Sequence, residues 1–332
     1  MLSTAAKNLN IKTVIISDDE NAPGQFFADE FIYGKYDDNL KIEEFCSKVD
    51  FVTFEFENIP FETLSKIDNI KKVNPKPYIN KIIQNRLREK DFLNKNNINT
   101  TSYISVKNES ELKSSQDFIP GILKTCTLGY DGKGQYKINN ENELENLKVD
   151  FTNHYILEKL VKLKKEISVI ITRFGKQKYE VYEPIENVHE DQILKYSKIP
   201  AEVNDELFNK SKEWAKYIAE ELNYIGTMCV EYFIDKNENL YVNEIAPRVH
   251  NSGHLTINAY NVNQFENHIR AVCGLDKIET KKLYDAKMIN LIGDDILVYR
   301  NKIFKDNEFF YDYKKNTVKK KRKMGHLTTI KK

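Results

Sequence analysis

The chain reads NEIAPRVHNSGH over residues 243–254, and the interpretation of the rest of the sequence depends on this stretch. A carboxylate, a guanidinium, two imidazoles and several small polar side chains lie within twelve residues. Ordinary loops need little beyond glycine, proline and solvated charged side chains. The stretch directly follows residues 239–242, NLYV, whose composition predicts a strand. It therefore indicates part of an active site at the end of a rigid element, with an elaborate surface loop as the alternative.

The sequence on either side of residues 236–239 predicts a β-hairpin. In that register Asp235 faces Leu240, and Glu231 faces Glu244. Like charges directly opposite each other destabilise a hairpin. A divalent cation between the carboxylates would turn this repulsion into ligation, since proteins hold Mg²⁺ with carboxylates and phosphate oxygens. The alternative is that one of the two carboxylates pairs with Arg or Lys.

A glycine-rich loop, GYDGKGQ at residues 129–135, follows a predicted strand that ends at Lys124. Its glycines let backbone amides approach an anion, and Lys133 adds positive charge. The spacing fits neither the Walker loop nor the dinucleotide-binding fingerprint. Lys124 is placed to reach a phosphate group. A phosphate-binding loop and a plain flexible turn are both compatible with these residues alone.

Residues 157–161, LEKLV, connect one predicted strand to another over 166–171. An apolar connector of this kind can offer backbone groups to the edge of a purine. The carboxylate of Glu166 can then accept hydrogen bonds from ribose hydroxyls. Taken alone, the segment is equally typical of a buried strand.

A basic run, KKNTVKKKRK at residues 314–323, is the kind of segment that binds nucleic acid or directs localisation. The formal net charge of the chain is only +1, and no aromatic residues interleave with the basic ones. A solvated strand or a phosphate clamp for a small substrate is therefore favoured, and no nucleic-acid partner is expected.

The bulk composition is typical of a soluble globular protein. The 332 residues suffice for two or three domains, with 40% hydrophobic and 30% charged residues. Cys46, Cys126, Cys229 and Cys273 are too far apart for a zinc or redox motif and indicate reduced thiols in the cytoplasm. No apolar run approaches the roughly 20 residues that span a bilayer, so no membrane partner is expected.

The first elements are predicted as a helix over 2–9, a strand over 13–17, a helix over 40–49 and a strand over 50–56. Such alternation is typical of a parallel sheet covered by helices. The NPKP segment at 74–77 marks a boundary, and a single helix over 78–96 follows it. Shorter strands and then a larger mixed region complete the chain, so the predicted fold class is α/β combined with α+β.

Together these segments resemble the ATP-grasp enzymes, and specifically the N5-carboxyaminoimidazole ribonucleotide synthetases of purine biosynthesis. The resemblance covers nearly the whole chain, and its most specific segments are 129–135, 243–254, MINLIG at 288–293 and RKMGH at 322–326. It implies an ATP-grasp fold behind a Rossmann-like, pre-ATP-grasp domain. The implied domains are 1–76 for the pre-ATP-grasp domain, 77–99 with 159–332 for the large domain and its C-terminal β-rich tail, and 100–158 for a lid.

The start of the chain departs from this family. Its members open with a strand and a glycine-rich loop of the type GGGQLGRM, whereas MLSTAAK at residues 1–7 matches only from the first helix onward. The resemblance therefore implies an N-terminal domain that lacks its first strand. Either the recorded start is too late or this form is impaired, and a misplaced start is our hypothesis. It predicts an in-frame upstream segment that encodes a strand followed by a glycine-rich loop.

The resemblance also assigns site residues. ATP-binding positions fall on Arg86, Lys124, Gly129, Tyr130, Asp131, Gly132, Lys133, Gly134, Gln135, Glu158, Lys159, Leu160, Val161, Glu166, His189, Asn243 and Glu244. Ligands for Mg²⁺ or Mn²⁺ fall on Glu231 and Glu244. Substrate positions fall on Glu55, Tyr130, Asp131, Arg248, His250, Asn251, Ser252, Lys315 and Arg322. Glu57 is the alternative to Glu55, since it lies two residues later and would point the same way. Arg248, Asp131 and Lys124 are the expected catalytic residues.

The implied activity is that of a cytoplasmic, homodimeric carbon–nitrogen ligase. It carboxylates 5-aminoimidazole ribonucleotide with ATP and bicarbonate, through carboxyphosphate, to give N5-carboxyaminoimidazole ribonucleotide, ADP and phosphate. The closest alternative is a sibling ATP-grasp ligase, such as the formate-dependent glycinamide ribonucleotide transformylase. A nucleic-acid-binding protein that uses the basic run is the alternative from another class.

Overall fold

Three β-sheets organise the chain in the computed structural model, which describes residues 1–127, 129 and 134–331. The helices are α1 (Leu2–Asn8), α2 (Asn39–Ser47), α3 (Phe61–Ile70), α4 (Pro77–Ile83), α5 (Arg86–Lys95), α6 (Glu109–Lys113), α7 (Glu141–Asn146), α8 (Asp205–Glu221), α9 (Thr256–Ala259), α10 (Gln264–Val272) and α11 (Asp295–Arg300). Short 3₁₀ turns cover Pro23–Phe26, Gln116–Phe118 and Asn251–Leu255. No helix in the described part has both the length and the apolar character needed to cross a membrane.

The strands fall into a two-stranded, a four-stranded and a nine-stranded sheet. They are β1 (Val14–Ser17), β2 (Glu30–Tyr33), β3 (Tyr103–Val106), β4 (Gly121–Thr125), β5 (Gln135–Ile138), β6 (Tyr155–Lys159), β7 (Leu163–Gly175), β8 (Lys178–Val181), β9 (Ile185–Glu190), β10 (Ile193–Ile199), β11 (Gly226–Asp235), β12 (Leu240–Ala246), β13 (Asp285–Ile292), β14 (Glu308–Asp312) and β15 (Lys323–Lys331).

The first sheet is the parallel pair β1–β2, which shares a core with α2 and α3. The prediction of a strand over 50–56 is wrong. Val52 alone pairs, in an isolated parallel bridge to Val73. The apolar side chains of Val52 and Phe54 are nevertheless buried in the same core. The alternating pattern therefore reflects burial of these side chains and not the pairing of a β-strand.

Helix α1 packs against α10 of the large sheet's domain instead of the first sheet. Leu2 and Ala6 share a cluster with Phe265 and Ile269. This contact anchors the N-terminal region to the part of the chain that carries residues 243–254.

The four-stranded sheet is antiparallel, in the order β3-β6-β4-β5, with its own core that includes Leu112, Leu123, Leu144 and Leu157. These strands lie within the range expected for a lid, apart from the last residue of β6. The nine-stranded sheet runs β12-β11-β7-β9-β10-β13-β15-β14, with β8 paired to β7. The C-terminal strands therefore extend the large sheet and do not form a separate one.

The predicted single helix over 78–96 is two helices. Asn85 lies between α4 and α5 in extended conformation, and its side chain accepts hydrogen bonds from the backbone amides of Leu87 and Arg88. A capping asparagine begins a new helix because it satisfies amides that have no partner within the helix. The break sets Arg86 in the first turn of α5, where its amide donates to the carbonyl of Cys126 at 2.9 Å.

We expect Asn85→Ala to lower the melting temperature by roughly 2–4 °C, since loss of an N-cap costs about 1 kcal/mol. Asn209→Ala, the same change at an exposed position inside α8, is the control and should not lower the melting temperature. Thermal unfolding followed by circular dichroism measures both. Equal shifts in the two variants would contradict the capping role of Asn85.

Candidate active site

A cavity of about 510 Å³ lies between the four-stranded and nine-stranded sheets. The predicted residues that line it are Arg86, Lys124, Gly129, Gln135, Glu158, Lys159, Leu160, Val161, Glu166, His189, Glu231, Asn243, Glu244, Arg248, His250 and Asn251. Of the predicted residues that the structure describes, Glu55, Gly134, Ser252, Lys315 and Arg322 are not part of its wall. Tyr130, Asp131, Gly132 and Lys133 lie outside the described residues.

Strands β11 and β12 form the hairpin that carries two of the carboxylates. Glu231 pairs with Glu244, which confirms that part of the predicted register. The predicted pairing of Asp235 with Leu240 is wrong, because Leu240 pairs with Ile234.

A β-bulge in β12 explains this difference. Tyr232 pairs with Val242 and the next pair is Glu231 with Glu244, so Asn243 is an extra residue in the bulged strand. A bulge sets two residues against one on the partner strand and often re-aims a side chain beside an active site. Asn243 and Glu244 therefore share the position opposite Glu231.

Each of the two opposed carboxylates has a cationic or imidazole partner from another element. Glu231 Oε1 lies 3.0 Å from His250 Nε2, and Glu244 Oε2 lies 3.1 Å from Arg86 Nη1. Burial by itself raises the pKa of the Glu231 carboxyl, but interaction with His250 and its neighbours holds that pKa at about 2. The carboxylate is thus ionised at neutral pH.

The side chains around this pair fit a hard divalent cation. Glu231 and Glu244 offer carboxylate oxygens, and Asn243 Oδ1 is buried without a hydrogen-bond partner among the described residues. Buried polar atoms are rarely left unpaired, and Mg²⁺ prefers carboxylate and carbonyl oxygens. This donor set matches the ion that the sequence predicts.

Lys124 belongs to a buried ion-pair network. Its Nζ lies 3.0 Å from Glu158 Oε1, and Lys90 Nζ lies 3.4 Å from Glu158 Oε2. Burial raises the pKa of the Glu158 carboxyl, but the two ammonium groups and a hydrogen bond from Thr101 lower it to about 2. Two cations share one carboxylate, so the pair favours a further anion at the cavity wall. Sequence reasoning missed Lys90 because only the fold brings it next to Glu158.

Glu89 is a second buried group that the sequence did not indicate. Its Oε1 accepts a hydrogen bond of 2.6 Å from the amide of Ile245, directly after Glu244. Burial and the charge of Glu244 raise the pKa of the Glu89 carboxyl to about 8. A neutral Glu89 adds no negative charge beside the carboxylate pair and fixes the backbone that carries Glu244.

Another part of the cavity wall is the connection from β6 to β7, which contributes Leu160 and Val161. His189 Nδ1 lies 2.7 Å from Glu166 Oε2. Burial lowers the pKa of His189, but the carboxylate of Glu166 more than compensates and raises it above its usual value. This part of the wall combines the apolar and backbone groups of Leu160 and Val161 with one paired carboxylate, that of Glu166.

Arg248 is held by Glu57, which belongs to the N-terminal region. Arg248 Nε and Nη2 lie 2.8 and 2.7 Å from Glu57 Oε2. Glu57 lines the cavity, whereas Glu55, the residue predicted for the substrate site, is exposed beside it. Gln84 donates to the carbonyl of Ile59 at 2.8 Å and so fixes this segment next to α4.

Two residues of the basic C-terminal segment, Lys315 and Lys323, lie at the cavity wall or in contact with it. Lys323 lines it, and its carbonyl accepts a hydrogen bond of 2.7 Å from Lys315 Nζ. Arg322 Nη1 lies 3.5 Å from the carbonyl of Thr317. Lys323 was not singled out from the sequence, since nothing distinguishes it within a run of lysines.

We expect Glu158→Gln to lower the melting temperature at pH 7 by several degrees, because breaking a buried pair leaves uncompensated charge. The folded pKa of Glu158 is lower than the unfolded one, so its stabilisation is present above about pH 4.5 and is lost as pH falls towards 2. The difference between wild type and variant should therefore shrink below about pH 4. Thermal unfolding at several pH values measures it.

Glu202→Gln is the control, since Glu202 pairs with Lys198 at the exposed surface. It should leave the melting temperature nearly unchanged at every pH. A difference for Glu158→Gln that stays constant down to pH 3 would contradict the ion-pair account.

Comparison with known families divides the chain into three matches. Residues 1–84 match the ribonucleotide synthetase preATP-grasp domain, residues 91–265 the ATP-grasp domain, and residues 286–332 the phosphoribosylaminoimidazole carboxylase C-terminal domain. These matches cover the first sheet, most of the cavity wall and the last three strands respectively.

Similar proteins extend over nearly the same length. The N5-carboxyaminoimidazole ribonucleotide synthase of Staphylococcus aureus (strain COL) is 37% identical over 99% of this chain and 89% of its own. The solved S. aureus synthetase complexed with ADP has a TM-score of 0.92 at 35% identity, covering 100% of this chain and 90% of that one.

A fungal relative is similar in structure as well. The Aspergillus clavatus synthase, solved in complex with ADP and 5-aminoimidazole ribonucleotide, has a TM-score of 0.90 at 27% identity, with coverage of 100% and 90%. With a full-length curated relative above one-third identity and three matching domains in order, this chain belongs to the N5-carboxyaminoimidazole ribonucleotide synthase family of ATP-grasp ligases.

Proposed function

We propose that this chain carboxylates 5-aminoimidazole ribonucleotide, using ATP and bicarbonate to form N5-carboxyaminoimidazole ribonucleotide, ADP and phosphate in purine biosynthesis. The observation that carries the proposal is the Glu231–Glu244 pair beside Asn243 in one cavity with Lys124 and Arg248. That cavity offers groups for a polyphosphate, a divalent cation and a small anion. The ligands of the S. aureus and A. clavatus structures support the same assignment.

ATP would lie with its base at Leu160 and Val161, between β6 and β7, and its phosphates towards Lys124 and Arg86. The two ammonium groups around Glu158 supply net positive charge at that end. Glu231, Glu244 and Asn243 would hold Mg²⁺ or Mn²⁺, which when bound neutralises phosphate charge during phosphoryl transfer.

Arg248 would bind bicarbonate and the carboxyphosphate formed from it. A bicarbonate oxygen takes the γ-phosphoryl group and ADP leaves. The amine of the ribonucleotide then attacks the carboxyl carbon, loses a proton, and releases phosphate. A planar guanidinium suits a carboxylate or phosphate because it binds both oxygens at once. The ion pair between Arg248 and Glu57 fixes the orientation of the Arg248 guanidinium before the substrates bind.

The ribonucleotide would bind at the loop that contains His250, Asn251 and Ser252, with its phosphate held by Lys315 and Arg322. Asp131, outside the described residues, would orient or deprotonate the attacking amine. We further propose that residues 100–158 close over the phosphates as a lid, because carboxyphosphate hydrolyses readily in water.

Cytoplasmic location and a homodimer complete the proposal. Free thiols at Cys46, Cys126, Cys229 and Cys273 fit a reducing compartment. The homodimer rests on the resemblance to the family alone.

Substrate dependence tests the function directly. ADP release should require both 5-aminoimidazole ribonucleotide and bicarbonate, and a coupled assay with each omitted in turn measures this. Turnover with formate and glycinamide ribonucleotide, and none with the proposed pair, would favour the sibling transformylase and overturn the assignment.

Glu244→Gln should reduce kcat at least about a hundredfold while the protein stays folded, because it removes one charge from the proposed metal site. Glu238→Gln, in the exposed turn of the same hairpin, is the matched control and should retain full activity. Activity of Glu244→Gln within about tenfold of wild type, roughly 1.4 kcal/mol in the barrier, would refute the metal role.

A further inference from the structure

Asn251 lies in the cavity wall, and its carboxamide is held by a second asparagine on β13. Asn251 Nδ2 donates to Asn290 Oδ1 at 3.1 Å, and Asn290 Nδ2 donates back to Asn251 Oδ1 at 2.6 Å. Asn290 also donates to the carbonyl of Leu194 at 2.9 Å and is only 1% exposed. With its own orientation fixed by the sheet, Asn290 fixes the orientation of the Asn251 amide.

Tyr313, which follows β14, adds a second contact to the same loop. Its hydroxyl lies 2.9 Å from His254 Nδ1, 2.9 Å from His326 Nδ1 and 3.5 Å from Asn251 Nδ2. Burial lowers the pKa of His254 well below its usual value and that of His326 to about 3, so both imidazoles are neutral. Each can therefore donate from one nitrogen only.

Tyr313 also lies next to a proposed phosphate ligand. Lys315 follows it by two residues, and Lys315 Nζ lies 5.5 Å from the centre of the Tyr313 ring. The same ammonium donates to the carbonyl of Lys323 in the cavity wall. One tyrosine thus contacts both the loop with Asn251 and the segment with Lys315.

We infer that Tyr313 and Asn290 are positioning residues for 5-aminoimidazole ribonucleotide, an inference that rests on the function proposed above. They hold Asn251 at a fixed place relative to Lys315, so that the two ends of the substrate meet a preformed site. A buried polar network specifies one arrangement of its members, whereas apolar packing alone would permit several. The hydroxyl of Tyr313 and the amide of Asn290 select this single arrangement of Asn251 and Lys315.

Tyr313→Phe removes one hydroxyl and keeps the ring. We expect a threefold to tenfold rise in KM for 5-aminoimidazole ribonucleotide, the range that loss of one buried hydrogen bond produces. KM for ATP should stay within twofold, because the nucleotide contacts other residues. A merely structural role would lower the folded fraction and the apparent kcat and would leave both KM values unchanged.

Tyr311→Phe is the matched control. Tyr311 lies on β14 two residues earlier and stacks on His326 at 4.6 Å, but its hydroxyl donates to Asn258, away from Asn251. The KM of Tyr311→Phe for 5-aminoimidazole ribonucleotide should equal that of wild type. Asn290→Ala removes both bonds to Asn251 and should raise the same KM at least as much as Tyr313→Phe.

The outcomes separate the two claims. If the wild-type protein shows no ADP release that depends on the ribonucleotide and bicarbonate, the proposed function is overturned, and the positioning role with it. Active wild type with an unchanged ribonucleotide KM in Tyr313→Phe and Asn290→Ala would overturn the positioning role alone. A selective rise in both variants, absent from Tyr311→Phe, supports it.

Discussion

The opposition of Glu231 and Glu244 across one hairpin is the constraint on which the rest of the site depends. Two carboxylates in this position repel and must be compensated by positive charge or by a metal ion. From outside the sheet, the structure places the imidazole of His250 against one carboxylate and the guanidinium of Arg86 against the other. The cap at Asn85 positions Arg86 at the start of α5, and the loop over 243–254 positions His250.

The charge balance extends from this pair to both walls of the cavity. Lys90 and Lys124 share Glu158, burial keeps Glu89 neutral, and Glu57 holds Arg248. The guanidinium groups of Arg86 and Arg248 are thus both paired with carboxylates in this structure. A bound polyphosphate or bicarbonate must share or replace those partners, so substrate binding and rearrangement of these ion pairs are coupled.

Local sequence patterns predicted the features that depend on neighbouring residues, such as the pairing within a hairpin. The Glu231–Glu244 pairing followed from the hairpin turn, although a bulge at Asn243 shifted the outer register by one residue. The break at Asn85 was missed because apolar spacing continues across it, and only the capping bonds reveal it. The contacts of Lys90, Glu57 and Asn290 join distant segments, so no local pattern contains them. Assignment of the remaining site residues needed the family resemblance.

Binding of Mn²⁺ in the presence of saturating ADP is the measurement that tests the central claim most directly, since it reports on the carboxylate pair without catalysis. Electron paramagnetic resonance of wild type and Glu231→Gln, each shown to be folded by its melting temperature, gives the affinity of the ion. The opposed-carboxylate account predicts binding at least tenfold weaker in the variant, a difference of about 1.4 kcal/mol or more. Equal affinity in the two proteins would contradict it.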